Sequence, residues 1–170
     1  MAGRFLADWG ADVIHIEHPV RGDLLRGDVT RRLGFGGRVI QSDIDYSAQN
    51  NNRNKRGITL DLSPDGGREI LYRLLEKADV LLANFRPREL TKFKLEYETL
   101  NQLNPRLIQA NITGFGKKGP DRDRPAVETA GYFARSGILH VLQMPGTPPF
   151  INPSGFGDCI VGLTLALGIM

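Results

Sequence analysis

Apolar residues recur along the chain with two different periods, and stretches of the two kinds follow each other. Period-two alternation or a continuous apolar run predicts a strand, whereas apolar residues three or four apart predict a helix. Strands are predicted over 11–17, 58–62, 78–84 and 107–112, and helices in a segment ending at Gly10, over 63–77 and over 95–103. This alternation predicts an α/β domain with a parallel sheet, flanking helices and right-handed crossovers.

Element ends and unpatterned segments complete this picture. Ser63 is the expected N-cap of its helix and Pro64 the first helical residue. Residues 20–52 are rich in Gly, Asp and Asn without a sustained period, which is typical of a functional surface loop holding short helices. The helical pattern already present at Met1, and a last helix that stops on its apolar face, are typical of a fragment of a longer protein.

Composition narrows the class of protein. The chain has 170 residues, 41% apolar and 24% charged, which is typical of one compact soluble domain. Its longest apolar stretch, Cys159–Met170, is shorter than the ~18 residues of a transmembrane helix, so no membrane is expected. Because the single cysteine, Cys159, cannot form a disulfide within the chain, we expect a cytoplasmic protein with this thiol as a small core residue.

The net charge of +3 is a mild basic excess, and no nucleic-acid partner is expected. Basic residues form two small clusters, which fit one anionic small molecule better than a duplex: Arg53, Lys55 and Arg56, and Lys117, Lys118, Arg122 and Arg124. Asn54-Lys55-Arg56 precede a predicted strand, where they would either clamp a phosphate or form a solvated basic turn.

Ligands of parallel sheets bind beyond the carboxyl ends of the strands. The residues at those ends are His18-Pro19, Ser63-Pro64, Asn84-Phe85-Arg86-Pro87 and Thr113-Gly114-Phe115-Gly116. Gly114–Gly119 also match the G-x-G-x-x-G spacing of dinucleotide-binding proteins. Because residues 120–125 begin and end with proline and do not start a helix, we expect a mobile glycine-rich loop instead.

Two carboxylates are candidates for chemistry. Asp158 follows Gly155-Phe156-Gly157 and precedes the apolar helix, so it is an N-cap, a nucleophile or both. The flanking glycines would let a substrate approach the backbone closely. Glu128 could take part in the chemistry or could equally be a surface charge on the next helix. The histidines have no partners at metal-ligand spacing, so no metal is expected.

Five blocks of the sequence resemble the family III CoA-transferases, the group of formyl-CoA and carnitine CoA-transferases. They are residues 2–17, 54–62, 84–87 and 107–119, and Gly157-Asp158 with its helix. The resemblance covers essentially the whole chain but only the first half of a family member. It implies that residues 1–170 are part of a Rossmann-like, CoA-binding large domain, with a small domain and a C-terminal part absent from this chain. It also implies an interlocked homodimer.

The resemblance implies roles for individual residues. Asp158 would carry covalent intermediates while coenzyme A moves from an acyl-CoA donor to a carboxylic acid acceptor, and Glu128 would support its surroundings. The CoA thioester is a substrate, and no tightly bound cofactor is implied. At the position of His18, many relatives carry a basic residue instead. The implied CoA-contacting positions are His18, Lys55, Arg56, Asn84, Phe85, Arg86 and Lys92.

Two alternatives stay open. α-Methylacyl-CoA racemases resemble this chain too, but they move a proton with a histidine before an acidic residue, and Val127 precedes Glu128 here. The other alternative is a non-catalytic CoA-binding module that uses the basic turn and residues 84–86. The segment Gly131–Gly137 most resembles transferases acting on 2-hydroxy or aryl-substituted acids. The chain by itself is expected to be inactive.

Overall fold

The computed structural model describes residues 1–22, 44, 46–149 and 154–170. These form two compact units, Met1–Leu71 and Tyr72–Met170. Helices and parallel strands alternate along both, which confirms the predicted α/β class with flanking helices. The described residues of each unit contain one two-stranded parallel sheet.

The first unit is built around its parallel strand pair. Its described elements are α1 (Ala2–Asp8), β1 (Val13–Glu17), α2 (Tyr46–Asn52), β2 (Lys55–Thr59) and the start of α3 (Asp65–Leu75). The strands pair from Val13 opposite Lys55 to Glu17 opposite Thr59. α2 is a short helix of the kind expected within 20–52, and the rest of that prediction, over 23–43 and 45, lies outside the described residues.

The predicted bounds 58–62 for the second strand were wrong, because β2 begins at Lys55 and ends at Thr59. The preceding residue, Asn54, has a left-handed φ of 60°. Asp8, at the end of α1, accepts hydrogen bonds from Asn54 Nδ2 at 3.0 Å and from Arg53 Nε at 3.0 Å. This long-range contact holds the turn, so the chain becomes extended directly after it. The Arg53 hydrogen bond also lowers the pKa of Asp8.

The start of α3 also differs from the prediction. The helix begins at Asp65, so Ser63 and Pro64 precede it and Ser63 is not its N-cap. Instead, the Ser63 N–H donates to Asp61 Oδ1 at 2.8 Å and forms a local turn. A Cβ at Gly67 would collide with the Asp61 carbonyl group, which explains why glycine stands at this close approach.

The second unit holds the other strand pair and the remaining helices. After α3, its described elements are β3 (Val80–Ala83), α4 (Pro87–Phe93), α5 (Tyr97–Leu103), β4 (Ile108–Asn111), a π-helix (Thr129–Ala134), α6 (Ile138–Val141) and α7 (Phe156–Ile169). β3 and β4 pair in parallel and confirm the predicted strands 78–84 and 107–112 with slightly shorter bounds. Leucines from helices and loops dominate its core: Leu75, Leu90, Leu95, Leu100 and Leu107.

One helix was predicted over 95–103, but the structure has two in this region. α4 ends before Lys94, whose left-handed φ of 56° turns the chain, and the fully buried Leu95 follows. α5 then begins at Tyr97. The sequence pattern missed α4 because this helix has seven residues and one buried apolar side chain, Leu90, too few to show a helical period.

The glycine-rich segment is a loop, as predicted. Residues 112–127 contain no helix or strand, so the helix that a dinucleotide-binding motif requires does not directly follow Gly114–Gly119. The last helix, α7, begins at Phe156 rather than near Cys159. Among the helices that the structure describes, none is long and apolar enough to cross a membrane.

Candidate active site at the start of α7

Asp158 and Glu128 lie together at the start of α7. The N-cap of this helix is Gly155, with φ 88°, so Asp158 lies in the first turn and is not the N-cap. The Glu128 carboxylate accepts three backbone hydrogen bonds here. Oε2 accepts from the Gly155 N–H at 2.7 Å, while Oε1 accepts from the N–H groups of Gly157 and, at 3.2 Å, of Asp158.

Glu128 therefore caps α7 from a separate segment of the chain. The first N–H groups of a helix have no acceptor within the helix and carry the positive end of its dipole. A carboxylate satisfies both needs, and here it comes from a residue 30 positions before Asp158. The interpretation of Glu128 as a mere surface charge is wrong, because its oxygens are bound to the backbone beside Asp158.

The electrostatics of Asp158 follow from this position. Its pKa is raised above the ordinary value of 3.8, first because surrounding protein atoms take water from the carboxyl group and second because Glu128 carries a like charge. The residue is nevertheless exposed at the surface. An accessible carboxylate with a raised pKa is a more basic, less hydrated oxygen nucleophile than one in bulk water.

Aromatic side chains pack around the same helix start. Phe133 is buried; its ring meets Tyr132 edge-on at 5.0 Å between centroids and stacks with Phe156 at 6.2 Å. The Tyr132 ring covers Gly157, since a Cβ at that position would lie 2.5 Å from Tyr132 Cδ1 and 3.1 Å from Glu128 Oε1. Only glycine fits between this ring and the Glu128 carboxylate.

The candidate CoA-contacting residues of the second unit lie on and before α4. Residues 84–86 follow the carboxyl end of β3, as predicted. Asn111, at the end of β4, donates from Nδ2 to the Phe85 carbonyl oxygen at 2.8 Å and joins the exits of the two strands. The Phe85 ring contacts Phe93 at 5.3 Å, and Lys92 Nζ lies 5.3 Å from the Phe93 centroid. The structure thus places these four candidates in one region of the unit.

Arg86 is already paired with a carboxylate. Glu89 Oε2 accepts from Arg86 Nε at 3.0 Å and from the Arg86 backbone N–H at 2.9 Å, while Oε1 accepts from Nη2 at 2.5 Å. The Arg86 hydrogen bond lowers the pKa of Glu89 to about 2. Within the described structure, Nη1 is the terminal guanidinium nitrogen of Arg86 without a hydrogen bond. A phosphate would bind there or displace Glu89.

His18, in the first unit, follows the carboxyl end of β1 as predicted, but its ring serves a local turn. Nδ1 accepts hydrogen bonds from the backbone N–H groups of Val20 and Arg21, both at 3.1 Å. Nδ1 therefore carries no proton in this arrangement, and Nε2 lies 3.8 Å from Asp61 Oδ1. The ring therefore presents Nε2, and not Nδ1, to a ligand.

Lys55 and Arg56 were predicted to precede the second strand, in a basic turn. In the structure they are instead the first two residues of β2. Because β1 and β2 are parallel, this is the opposite end of the strand pair from His18, roughly 16 Å away along the strands. The Arg56 guanidinium binds the Asp12 carboxylate through Nε at 2.8 Å and Nη2 at 2.6 Å. Lys55 Nζ donates to Asn52 Oδ1 at 2.9 Å. A ligand phosphate would compete with these partners.

The second basic cluster is also partly paired. Arg122 lies 3.3 Å from Asp123, and Arg124 lies 3.0 Å from Asp121. The same two aspartates bind other residues of the unit, since Asp121 contacts Arg135 and Asp123 accepts the Arg88 N–H. These contacts anchor the glycine-rich loop, and they leave Lys117 and Lys118 as exposed cations.

In the part of the chain that the structure describes, no group of three or more His, Cys, Asp or Glu side chains could hold a metal ion. Cys159, next to Asp158, is a free, partly buried thiol.

Three residues at or near the candidates were missed in the sequence. Glu89 had a local signal. It lies three positions after Arg86, the N-cap of α4, and a carboxylate at that spacing accepts the backbone N–H of the N-cap residue. Asp12 and Tyr132 had no local signal. Asp12 contacts Arg56, which lies 44 positions away, and Tyr132 contacts Gly157 in a separate helix. Such contacts depend on the fold.

Comparison with known protein families identifies the family of the chain. Residues 1–170, the whole chain, match the family model of CoA-transferase family III. The chain belongs to this family.

Individual relatives agree with this assignment. The chain is 43% identical to the cinnamoyl-CoA:phenyllactate CoA-transferase of Clostridium sporogenes, over 99% of its own length and 40% of the relative's. It is 36% identical to the (R)-2-hydroxy-4-methylpentanoate CoA-transferase of Clostridioides difficile, over 97% and 40%. A crystal structure of a CaiB/BaiF family protein from Brucella suis matches with a TM-score of 0.80 at 36% identity, over 99% and 43%. The chain spans about 40% of the length of these curated relatives.

Proposed function

We propose that the protein is a CoA-transferase that moves coenzyme A from an acyl-CoA thioester to a carboxylic acid through covalent intermediates on Asp158. The observation that carries this proposal is the position of Asp158: an exposed carboxylate with a raised pKa, held through its backbone by Glu128 at a glycine-flanked helix start. Membership of CoA-transferase family III supports the reaction class.

The chemistry needs no activating base, because a carboxylate is ionised at neutral pH. Asp158 attacks the thioester carbonyl, CoA thiolate leaves, and an acyl–aspartyl anhydride remains. The thiolate then attacks the aspartyl carbonyl, which releases the first acid and leaves an aspartyl-CoA thioester. The acceptor carboxylate attacks this thioester, and CoA thiolate leaves again. An anhydride between Asp158 and the acceptor remains. The CoA thiolate attacks the acceptor carbonyl of this anhydride, which forms the new acyl-CoA and releases free Asp158.

Glu128 contributes to this cycle by holding the helix start and not by touching the reacting atoms. Its three backbone hydrogen bonds fix the first turn of α7, and its charge keeps the Asp158 carboxylate more basic. Both effects favour attack, because a positioned nucleophile loses less entropy in the transition state.

The substrate and partners follow from the resemblance and the relatives. CoA would be contacted at His18, Lys55, Arg56, Asn84, Phe85, Arg86 and Lys92, with no tightly bound cofactor. Two relatives are named for phenyllactate and for (R)-2-hydroxy-4-methylpentanoate, both 2-hydroxy acids, so we propose a 2-hydroxy acid as acceptor. An interlocked homodimer is proposed, although other relatives are named as alpha and beta subunits.

Trapping the covalent intermediate tests the proposal. The complete gene product is incubated with a panel of aryl- and 2-hydroxyacyl-CoA esters and quenched with hydroxylamine, and the modified peptide is located by mass spectrometry. We expect a hydroxamate on Asp158, and transfer reduced by several orders of magnitude in Asp158→Asn, which keeps the side-chain size. An adduct on Glu128 or Cys159 instead would refute the assignment.

The same panel separates the alternatives. A racemase would exchange the α-proton of the acyl group with deuterium from solvent, but Val127 has no group that moves a proton. A non-catalytic module would bind CoA and form no adduct and no new thioester.

A further inference from the structure

Gly157, the neighbour of Asp158, is held from two sides by one short segment. Its N–H donates to Glu128, and its α-carbon is covered by the Tyr132 ring, with Cδ1 and Cγ 2.5 and 2.7 Å from where a Cβ would stand. Glu128 and Tyr132 are four positions apart. The first turn of α7 is therefore gripped between a carboxylate and an aromatic ring.

The segment that carries both groups is itself firmly seated. It forms a π-helix, in which the Arg135 N–H reaches back five residues to the Ala130 carbonyl oxygen at 3.0 Å. π-Helical turns occur mostly as single turns at functional sites. Gly131 packs against the backbone of Gly114, where a Cβ would lie 3.1 Å from the carbonyl oxygen. This contact anchors the segment to the loop that follows β4.

The Tyr132 ring has little freedom to move away. Ser136 Oγ donates to the Tyr132 carbonyl oxygen, which fixes the backbone on its C-terminal side. The ring edge meets Phe133, which is only 3% exposed and stacks in turn with Phe156 in α7. Tyr132 thus belongs to an aromatic cluster whose other end is the first residue of the helix that it covers.

We infer that Tyr132 is a positioning residue for Asp158: its ring packs on Gly157 and, with Glu128, fixes the direction from which the Asp158 carboxylate approaches a thioester. This inference rests on the proposed transferase function and deepens it. Tyr132 acts through the backbone and need not touch the substrate.

A rate effect separates positioning from simple stabilisation. A reacting atom displaced by about 1 Å costs on the order of a hundredfold in rate. Removing the ring should therefore slow formation of the Asp158 adduct by about that factor, while the KM for the acyl-CoA changes little because Tyr132 is not among the proposed CoA-contacting residues. A merely structural role would lower the amount of folded protein and leave the rate per folded molecule unchanged.

The experiment compares Tyr132→Phe, Tyr132→Leu and, as a control, Tyr97→Ala at an exposed tyrosine of α5. Rapid-quench mass spectrometry of the complete gene product gives the rate of adduct formation on Asp158 per folded molecule. We expect Tyr132→Phe to keep the wild-type rate because it retains the ring. Tyr97→Ala should keep it as well, because Tyr97 is exposed. Tyr132→Leu should be slowed about a hundredfold at unchanged KM. An unchanged rate in Tyr132→Leu would overturn the inference.

A second variant keeps the test sharp if Tyr132→Leu folds poorly. Gly157→Ala introduces the Cβ that meets the ring, so it should slow adduct formation with Tyr132 present and slow it much less when combined with Tyr132→Leu. Independent, multiplicative effects would contradict direct packing. Absence of any adduct in the wild-type protein would refute the proposed function, whereas a wild-type adduct with unaffected variants would refute only the role of Tyr132.

Discussion

The backbone N–H of Asp158 donates to Glu128 Oε1 at 3.2 Å, while the Glu128 charge raises the pKa of the Asp158 side chain in addition to the effect of desolvation. Glu128 thus attracts the main chain of the proposed nucleophile and repels its ionised carboxylate. The Glu128 carboxylate thus orders the helix start and, in addition to desolvation, makes the charged form of Asp158 less stable there.

Asp158→Asn is expected to stabilise the folded protein at neutral pH while abolishing transfer. Because the folded-state pKa of Asp158 is raised, folding favours its protonated form, and stability falls as pH rises from the ordinary value of 3.8 through the folded pKa. Asparagine removes that cost. Thermal denaturation at neutral pH should show a higher midpoint for the variant, and the gain should vanish below the ordinary pKa.

The control for this measurement is Asp79→Asn, at an exposed carboxylate that makes no side-chain hydrogen bond to another described residue. It should show no gain at any pH. An unchanged or lower midpoint in Asp158→Asn at neutral pH would contradict the electrostatic account of the helix start.

Glu128 variants should rank by the number of backbone N–H groups they still satisfy. Glu128→Ala removes the acceptor of three N–H groups, two of which are partly buried, and an unsatisfied buried donor costs about 1–3 kcal/mol. Glu128→Gln keeps one oxygen acceptor but turns an N–H toward Gly155 or Gly157. We expect unfolding free energy and adduct formation to fall from wild type to Gln to Ala, measured by denaturant titration and rapid quench. Equal losses in both variants would contradict the capping role.

Arg56 and Asp12 make a paired prediction about CoA binding. If Arg56 binds a CoA phosphate, Arg56→Ala should weaken CoA binding by about 1.5–3 kcal/mol, the value of a charge-assisted hydrogen bond. Asp12→Asn should strengthen it, because Asp12 occupies the guanidinium and repels phosphate. Titration calorimetry checks both, with Arg106→Ala as an exposed arginine control. Unchanged affinity in both test variants would remove Arg56 from the CoA contacts.

The exposed face of α7 predicts association of the 170-residue chain. Phe156, Ile160, Leu163 and Leu167 are 53%, 39%, 38% and 60% exposed and recur at helical spacing. A contiguous apolar patch of this kind promotes association in water. Sedimentation velocity should show larger species for the chain. Leu163→Glu combined with Leu167→Glu should reduce them, whereas Thr99→Glu, at an exposed position of α5, should not. A monodisperse chain would contradict the predicted association. Full transferase turnover by this chain would contradict the expectation that it is inactive alone.

Sequence pattern was informative where local residues decide the structure. The nearly continuous apolar run over 78–84 located β3, and the alternation of apolar and polar residues over 107–112 located β4. β2 was displaced because its start depends on Asp8 contacting Arg53, 45 positions away. In the same way, Asp158 and Glu128 were named from local motif and resemblance, but the hydrogen bonds joining them and the Tyr132 contact arise only in the folded chain.

The Glu89 and Arg86 pair should stabilise the second unit above a defined pH. The Arg86 hydrogen bond lowers the pKa of Glu89 from 4.5 to about 2, so the stabilisation is present above 4.5 and is lost as pH falls through about 2. Glu89→Gln should lower the unfolding free energy at neutral pH by about 1–2 kcal/mol, since solvent screens part of the interaction. The difference should disappear near pH 2. Glu98→Gln, in the exposed first turn of α5, is the matched control, and an equal loss there would show that the effect is not specific to the pair.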